Sequence, residues 1–402
     1  MKLLHTADWH LGKKLDFYSR MEEQIEVMNE ICEIADRQMV DMVIVAGDLF
    51  DAFNPPTEAI DLLYKTLKRL TNNGKRPVIA IAGNHDSPNL IDAPDTLARE
   101  CGIVMIGYPN ALVEKIELND FQITKSVPGF IEIQMANLSH PVRIIHTPYA
   151  NEVRLKKDLG EDKDRSLNQV LKDHWKELAD LYCNADGVNI LTSHLYMMKK
   201  GGEIFEEPEG EKPIRVGNAE WIDLAIVPHQ IQYTALGHLH RFIKMGNEKN
   251  PIVYSSSPLA YSFSEAEQKK YVSIVDLQPG ENAWVDKIQL TSGKTLVRKS
   301  FDDLDECVFW LENHQNTLVE LTIESETFLT ADERRRIAQA HKGIIHLIPK
   351  VRNVEKQMSE NQTINLNQNM QDLFKDYFKS KKEGQEPNEE IMDLFNEILN
   401  LK

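Results

Sequence analysis

The stretch Lys2-Leu3-Leu4-His5-Thr6-Ala7-Asp8-Trp9-His10 runs from an apolar strand directly into a carboxylate and an imidazole. Further apolar runs end in the same way: Met42–Ala46 before Gly47-Asp48, Val78–Ala82 before Gly83-Asn84-His85-Asp86, Val188–Ser193 before His194, and Tyr233–Leu236 before Gly237-His238-Leu239-His240. Open α/β sheets bind ligands beyond the carboxyl ends of their strands. We therefore expect these strand ends to meet in one pocket rich in Asp, Asn and His.

The side chains at these ends have the composition of a metal site. The candidate ligands are Asp8, His10, Asp48, Asn84, His194, His238 and His240. Only the two aspartates are anionic, so a pair of divalent ions would leave the pocket electropositive. Such a pair attracts a phosphate and lowers the pKa of a water to give a hydroxide nucleophile. Nitrogen and oxygen ligands without thiolate favour Mn²⁺, Fe or Zn²⁺ over Ca²⁺.

Residues next to the candidate ligands have candidate supporting roles. His85 is the candidate for transition-state contact or proton delivery to the leaving oxygen. Asp86 is expected to hold the tautomer of His85, and Asp51 either supports a ligand or faces the substrate. A single Asp or His after a strand is commonplace, so the ordered set of motifs is the informative signal. His5 and His146 lie in apolar runs and are predicted to be packed polar residues.

The first hundred residues alternate strand and helix, which predicts a parallel sheet with right-handed crossovers. The first helix is predicted over Arg20–Met39, with an apolar face that includes Ile25 and Met39. A second helix follows Pro55-Pro56, with Thr57 as its N-cap. Short alternating runs between residues 111 and 149 predict antiparallel strands, and a long helix is predicted over 164–183.

The chain changes character near Thr291. Alternating strands and helices up to Val351 predict a small α+β unit, and a polar segment over 353–369 is typical of a linker. Two amphipathic helices are expected after it, with the stripes Met370, Leu373, Phe374, Tyr377, Phe378 and Ile391, Leu394, Phe395, Ile398, Leu399. Neither helix is long enough to be stable alone, so they must pack on each other, on the body or on a partner.

Charge and composition restrict the function classes. The net charge of −17 argues against nucleic-acid binding over the whole surface, although a local basic patch or a metal centre could supply positive potential. No apolar run is long enough for a membrane span, and no secretory signal is evident. The four dispersed cysteines suit buried free thiols in a reducing cytoplasm.

One motif resembles a nucleotide site without completing it. Ser292-Gly293-Lys294-Thr295 matches the end of a phosphate-binding P-loop. The first glycine of that loop would fall at position 288, which is Ile288. We therefore expect no direct ATP binding, and any ATP dependence would come from a separate protein.

Together these motifs resemble the calcineurin-like metallophosphoesterase family, and within it the bacterial nuclease subunits that work with an SMC-like ATPase. The resemblance rests on Leu4–Gly12, Val45–Asp51 with Pro55-Pro56, Ala82–Ser87, Ala235–Arg241 and Ser256–Leu259. It implies an α/β fold: a metallophosphoesterase β-sandwich flanked by helices, with a small α+β capping domain and C-terminal helices. The implied domains are 1–293 for the nuclease, 294–353 for the cap, and 354–402 for a linker and two helices that bind the ATPase.

The resemblance also implies roles for the candidate residues. One Mn²⁺ would be held by Asp8, His10, Asp48 and His240, and a second by Asp48, Asn84, His194 and His238, with His85 as the catalytic histidine. The implied activity is that of a dimeric DNA nuclease, a 3′→5′ exonuclease on double strands and an endonuclease on single strands and hairpins. Candidate phosphate contacts are Lys13, Lys14, Arg20, Lys199 and Lys200, unless these are ordinary solvated side chains.

Two alternative functions would also place these residues at a metal centre or retain them as its remnant. A phosphoesterase that acts on a small nucleotide would need the same ligands but no cap or tail helices. A non-enzymatic scaffold for the ATPase would be expected to have lost ligands, and here every ligand position is filled.

Overall fold

The computed structural model describes residues 1–156, 163–202, 221–326, 329–351 and 370–381, together with residues 387, 391, 392 and 395. Its main body is a sandwich of two β-sheets with helices on both outer faces. The predicted linker over 353–369 and most of the second predicted tail helix lie outside the described residues.

The first sheet carries the N-terminal motifs. Its six strands lie in the order Trp284–Gln289, Tyr271–Asp276, Lys2–Thr6, Met42–Ala46, Val78–Ile81 and Ile103–Ile106. The last four run parallel to one another, and the first two join the edge in antiparallel register. The predicted parallel sheet is therefore confirmed, and its strands end at the same edge.

The second sheet carries the remaining motifs. Its seven strands lie in the order Phe242–Gly246, Pro251–Ser255, Tyr233–Gly237, Val188–His194, Val142–Thr147, Phe130–Met135 and Phe121–Val127. The last three pair antiparallel, as the alternating pattern between residues 111 and 149 predicted. The strands that end in His194 and Gly237 run parallel to each other, so the motifs after them lie side by side.

Apolar side chains fill the space between the sheets. Leu3 and Ile44 of the first sheet and Ile144 and Ile190 of the second belong to one buried cluster. The predicted α/β sandwich is confirmed. The strand ends that we expected in one open sheet come from two sheets, whose packed edges meet at the pocket.

Helices cover both faces of the sandwich. Met21–Arg37 and Thr57–Leu70 pack on the first sheet, and Lys163–Tyr182 packs on the second through the buried Trp175. Shorter elements are the helices Pro88–Asp92, Asp95–Glu100 and Glu152–Leu155, the 3₁₀ turns Leu224–Ile226 and Phe263–Glu265, and a bridge between Met197–Met198 and Ile222–Asp223.

Two details of the predicted helices were wrong. Ile25 is 43% exposed and Met39 is 80% exposed, because the first helix ends at Arg37 and turns Val27 and Ile31 toward the sheet. Thr57 is the first helical residue, and Pro56 occupies the N-cap position without a side-chain hydrogen bond.

The unit after residue 294 is a three-stranded sheet with two helices. The strands Thr295–Phe301, Thr317–Ser325 and Ile344–Val351 are all parallel, and the helices Leu304–Asn313 and Ala331–Ala340 pack on them. We call this unit the cap. Its small core contains Cys307, Leu311, Val319, Leu321 and Ile337.

A hairpin joins the cap to the pocket loops. Its strands are Lys14–Leu15 and Tyr18–Ser19, and Leu15 packs in a buried cluster with Phe263 and with Leu296 of the cap. His346 of the cap contacts Asp16 at the hairpin turn. In the P-loop-like stretch, Lys294 donates from its ammonium group to the Tyr18 hydroxyl at 2.8 Å. We call the contact region between this hairpin and the cap the cap joint, and the P-loop-like stretch is part of it.

The tail helix Met370–Lys381 contacts the segment that follows it. The ring of Phe374 stacks on the ring of Phe395, with centroids 4.0 Å apart. This contact fits the expectation that the two tail segments pack on each other. All four cysteines are free, and Cys32, Cys183 and Cys307 are buried. No helix among the described residues is long and apolar enough to cross a membrane.

Candidate metal centre

The pocket loops have an unusual backbone. Asp8, His10, Asp48 and His238 have φ values of 55°, 45°, 49° and 109°. Positive φ in residues other than glycine is costly and is found at functional sites, and Asp and His tolerate it better than most residues. Two backbone hydrogen bonds lock the first two loops together: Asp8 N to Gly47 O and His10 N to Asp48 O, both at 2.9 Å.

Two glycines permit the close approach of the loops. A Cβ on Gly47, whose φ is 93°, would lie 2.2 Å from His194 Nδ1. A Cβ on Gly83 would lie 2.1 Å from Asp48 Oδ1. Any side chain at either position would collide with a candidate ligand or the group that holds it.

Asp8, His10 and His240 form the first cluster of donor atoms. His10 Nε2 and His240 Nε2 lie 3.0 Å apart and face each other inside the protein. Asp8 is fully buried, and its Oδ2 accepts no hydrogen bond from any described group. A buried carboxylate oxygen without a donor, beside two converging imidazole nitrogens, fits a cation.

The second cluster combines Asn84, His194, His238 and Asp48. Asn84 Oδ1 lies 2.9 Å from His194 Nε2 and 3.3 Å from His238 Nδ1. His194 Nε2 is also 3.2 Å from Asp48 Oδ2. An amide oxygen, a carboxylate oxygen and two imidazole nitrogens therefore surround one position.

Asp48 lies between the two clusters. Its Oδ1 accepts from the backbone N–H of His85 at 2.8 Å, and its Oδ2 is 3.6 Å from His10 Nε2. Burial would raise the pKa of Asp48, but the surrounding histidines, His194 foremost, hold it well below the usual range. The lowered pKa favours the ionised carboxylate. A chain of contacts links all seven predicted ligands in one pocket.

Contacts behind the rings of His194 and His10 indicate which nitrogen each presents to the pocket. His194 Nδ1 donates to Ala46 O at 2.8 Å, so its Nε2 faces the second cluster. His10 Nδ1 lies 3.6 Å from Asp51 Oδ1, which leaves Nε2 toward the first cluster. Burial lowers the pKa of His194, but Asp48 and then Asp8 raise it more, to about 9. The carboxylates of the pocket thus favour positive charge at this position.

His85 lies next to the first cluster, but its partner is not the predicted one. Its ring is 4.9 Å from the ring of His10, and its Nδ1 donates to the backbone carbonyl of Asp51 at 2.8 Å. Asp86 instead accepts from the backbone N–H groups of Leu49, Phe50 and Gly83 at 2.8–3.0 Å. The expected role for Asp86 was wrong because its side chain turns away, into the loop that carries Asp48.

Asp51 supports rather than lines the first cluster. Its Oδ1 lies 3.0 Å from Lys13 Nζ in addition to its contact with His10. Burial would raise the pKa of Asp51, but His10 and Lys13 lower it to about 2. Of the two roles left open by the sequence, the contacts favour support of a ligand.

The candidate phosphate contacts differ in exposure. Lys14, Lys199 and Lys200 are exposed, and Lys13 is held by Asp51. Arg20 was wrongly included: it is 1% exposed and donates to both carboxylate oxygens of Glu23, at 2.8 and 2.9 Å, and to Ala260 O at 2.7 Å. A guanidinium with all these partners cannot reach a phosphate.

Sequence reasoning missed several residues that hold the pocket. Arg154 donates to Gly83 O and Asp86 O, both at 2.7 Å, and so clamps the loop that carries Asn84. Gln24 of the first helix donates to His10 O at 2.8 Å. Asn151 caps the short helix that contains Arg154, but this capping pattern does not indicate that Arg154 reaches the pocket. Glu265 approaches His240 Nδ1 at 3.2 Å, and it too lay in no motif.

The histidines predicted to be packed residues are buried away from the donor clusters. His5 Nδ1 lies 2.7 Å from the Tyr233 hydroxyl, between the two sheets. Burial lowers the pKa of both His5 and His146 to about 3, so both are neutral. They contribute packing and not ligands to the described pocket.

Comparison with known proteins identifies the family. Residues 1–242 match the model of the calcineurin-like phosphoesterase family. The SbcD subunit of nuclease SbcCD from Bacillus subtilis (strain 168) is 37% identical over 409 residues, which covers 99% of this chain and 97% of the relative. Its counterpart from Staphylococcus epidermidis is 29% identical over 283 residues, which covers 69% of this chain and 66% of the relative.

Among solved structures, a dimetal phosphatase from Danio rerio aligns with a TM-score of 0.40 and 11% identity, over 73% of this chain and 99% of that one. The motifs, the paired donor clusters and the full-length relative agree. This chain belongs to the calcineurin-like phosphoesterase family and, within it, to the metal-dependent nucleases of the SbcD type.

Proposed function

We propose that this protein is a Mn²⁺-dependent DNA nuclease, a 3′→5′ exonuclease on double strands and an endonuclease on single strands and hairpins. We further propose that it acts in the cytoplasm in DNA repair and recombination, as a dimer bound to the SMC-like ATPase SbcC. The observation that carries the proposal is the convergence of two donor groups, Asp8 with His10 and His240 and Asp8 with Asp48 and His194, in a chain that aligns over 99% of its length with an SbcD nuclease.

The residues that would hold the two ions follow from the clusters. Asp8, His10, Asp48 and His240 would hold the first, and Asp48, Asn84, His194 and His238 the second. When bound, a pair of divalent ions supplies the charge that polarises a phosphodiester and acidifies an attacking water. The mixed nitrogen and oxygen donor set, without thiolate, suits Mn²⁺, Fe or Zn²⁺ better than Ca²⁺, and of these we propose Mn²⁺.

His85 is the proposed proton donor to the leaving oxygen. Its Nδ1 is held by the carbonyl of Asp51 at 2.8 Å, so the ring cannot rotate away. In the imidazolium form, Nε2 also carries a proton and can transfer it to the departing alkoxide. Asp48 Oδ1 accepts from the backbone N–H of His85 at 2.8 Å, which fixes the loop that carries the ring beside the first cluster.

In this proposal the cap serves the binding of a large substrate, and the tail serves the binding of a protein partner. The cap contacts the hairpin that contains Lys14 and follows Lys13, so a displacement of the cap would move this hairpin relative to the pocket. The tail helix presents Tyr377, which is 60% exposed, beside the stacked Phe374. We propose that residues 354–402 bind the coiled coil of the ATPase, and that residues 294–353 shape the DNA groove. ATP would bind to the partner alone.

The experiment measures cleavage and metal content together. A labelled hairpin duplex and a set of nucleoside monophosphates are each incubated with the protein and Mn²⁺, with His85→Ala as the matched inactive variant. Cleavage of the hairpin, with about two Mn²⁺ per chain, is the expected result. Release of phosphate from the monomers with intact DNA would favour the small-nucleotide phosphoesterase instead.

A further inference from the structure

Glu265 is a buried carboxylate behind the first donor cluster. It ends the 3₁₀ turn Phe263–Glu265 and is only 2% exposed. Its Oε1 lies 3.2 Å from His240 Nδ1, on the side of the ring opposite the nitrogen that faces His10. The same oxygen accepts from the backbone N–H of Tyr261 at 3.3 Å.

Lys270 balances the charge of Glu265. Its ammonium contacts Glu265 Oε2 and donates to His240 O at 2.7 Å and to Ser257 Oγ at 3.0 Å. Lys270 is 6% exposed, so the pair is almost wholly removed from water. A buried ion pair is seldom more stable than apolar residues of the same volume. Its presence is therefore better explained by what it does to His240.

The histidines of the two clusters are backed by different groups. In the first cluster, Nδ1 of His10 faces the carboxylate of Asp51, and Nδ1 of His240 faces the carboxylate of Glu265. In the second cluster, Nδ1 of His194 donates to the backbone carbonyl of Ala46 at 2.8 Å, and the carboxylate of Asp8 lies farther from it, at 3.8 Å. Nδ1 of His238 faces the amide oxygen of Asn84 at 3.3 Å. A carboxylate behind an imidazole increases the electron density at the opposite nitrogen and makes it a stronger ligand.

We propose that Glu265 is a positioning residue that orients and strengthens His240, and that it makes the first metal position the tighter of the two. This inference rests on the proposed function, because it takes the two clusters to be the metal positions. The carboxylate keeps the Nδ1 proton on its own side of the ring, so the lone pair of Nε2 points toward His10 and Asp8. Lys270, which contacts Glu265 and donates to the carbonyl of His240, holds that carboxylate in place.

Manganese titration separates this role from a structural one. Free Mn²⁺ is followed by its electron paramagnetic resonance signal, which gives the dissociation constants of both positions without any activity assay. For Glu265→Gln we expect one constant to rise about 10- to 100-fold, while the other changes less than about threefold. Glu267→Gln, which removes the same charge from an exposed position two residues away, should leave both constants unchanged.

A second variant separates an effect on metal binding from an effect on folding. Glu265→Gln leaves the ammonium of Lys270 buried without its anion, so the double variant Glu265→Gln/Lys270→Met removes both charges together. It should melt near the wild-type temperature and still show one weakened position. Equal weakening of both positions, or two unchanged constants, would overturn the proposal. If the wild-type protein itself binds no Mn²⁺, the failure lies with the proposed function.

Discussion

The pocket and the cap joint differ in how their polar groups are held. In the pocket, Asp48 and Asp86 are 2% and 0% exposed, and backbone N–H groups bind their oxygens. At the joint, His346 and Asp16 are 39% and 57% exposed in their side chains and have water as an alternative partner. The pocket is therefore built for fixed geometry, and the joint for a contact that solution conditions can change.

His85→Ala should give the largest effect. Because His85 is the proposed proton donor, cleavage of hairpin DNA should fall about 10²- to 10⁴-fold in single-turnover assays. Mn²⁺ stoichiometry should stay at the wild-type value, since His85 is not a proposed ligand. The control is His229→Ala, at an exposed position outside the pocket. Normal turnover by His85→Ala would remove the catalytic assignment.

Removal of residues 354–402 tests the attachment region without touching the pocket. We expect the truncated protein to lose co-purification with the ATPase, because the proposed binding helices are gone. Its Mn²⁺ content and its cleavage of short single strands should match those of the full chain. A truncated protein that still forms the complex would show that the ATPase binds to another part of the chain.

Gly83→Ala should disturb the pocket through its backbone. The added methyl group would lie 2.1 Å from Asp48 Oδ1, so either the carboxylate or the loop must move. We expect a loss of roughly 1–3 kcal/mol in the free energy of unfolding, and weaker binding of both Mn²⁺ ions. Denaturant melts and Mn²⁺ titration measure the two effects.

Gly201→Ala is the comparison for that variant. No described atom lies within 4 Å of the added methyl group, and its φ of 72° adds only the cost of a left-handed backbone. Unchanged Mn²⁺ binding in Gly83→Ala, relative to Gly201→Ala, would contradict the fixed geometry assigned to the pocket.

His346→Gln should give the smallest effect, and one that depends on pH. Hydrogen bonding to Glu320 raises the pKa of His346 above its usual 6.5, with Asp16 adding to the shift and burial opposing it. The stabilisation is thus fully present below pH 6.5 and is lost as pH rises through the higher folded pKa.

Because the contact is partly exposed, its worth is roughly 0.5 kcal/mol or less. Thermal melts at pH 5.5 and pH 9 should show wild type above His346→Gln only at the lower pH. An equal difference at both pH values would mean that the contact acts by packing and not by charge.

The ligands were predictable because each lies in a short local motif at a strand end. Asp8, Asp48 and His240 follow apolar runs within a few residues, and parallel strands bring such ends together. That the ends belong to two sheets was not predictable from spacing, since pairing partners such as the strands ending in His194 and Gly237 are set by tertiary packing.

There is a physical reason why the residues that hold the ligands in place could not be predicted from the sequence. Arg154 and Glu265 reach the pocket from segments with no apolar periodicity, and their partners lie 71 and 25 positions away. Asp86 is a carboxylate next to His85 in the sequence, as the expected contact required. The rotamer of its side chain decides whether it contacts His85 or the backbone of Leu49. Such choices depend on three-dimensional packing.

The left-handed conformation at Asp8, His10 and Asp48 has a consequence for protein engineering. Grafting these side chains onto an ordinary strand end of another scaffold would reproduce the types of donor atom but not the direction of each Cα–Cβ bond. The donor atoms would then diverge. A transplant of this pocket must therefore carry over its backbone turns and the glycines beside them.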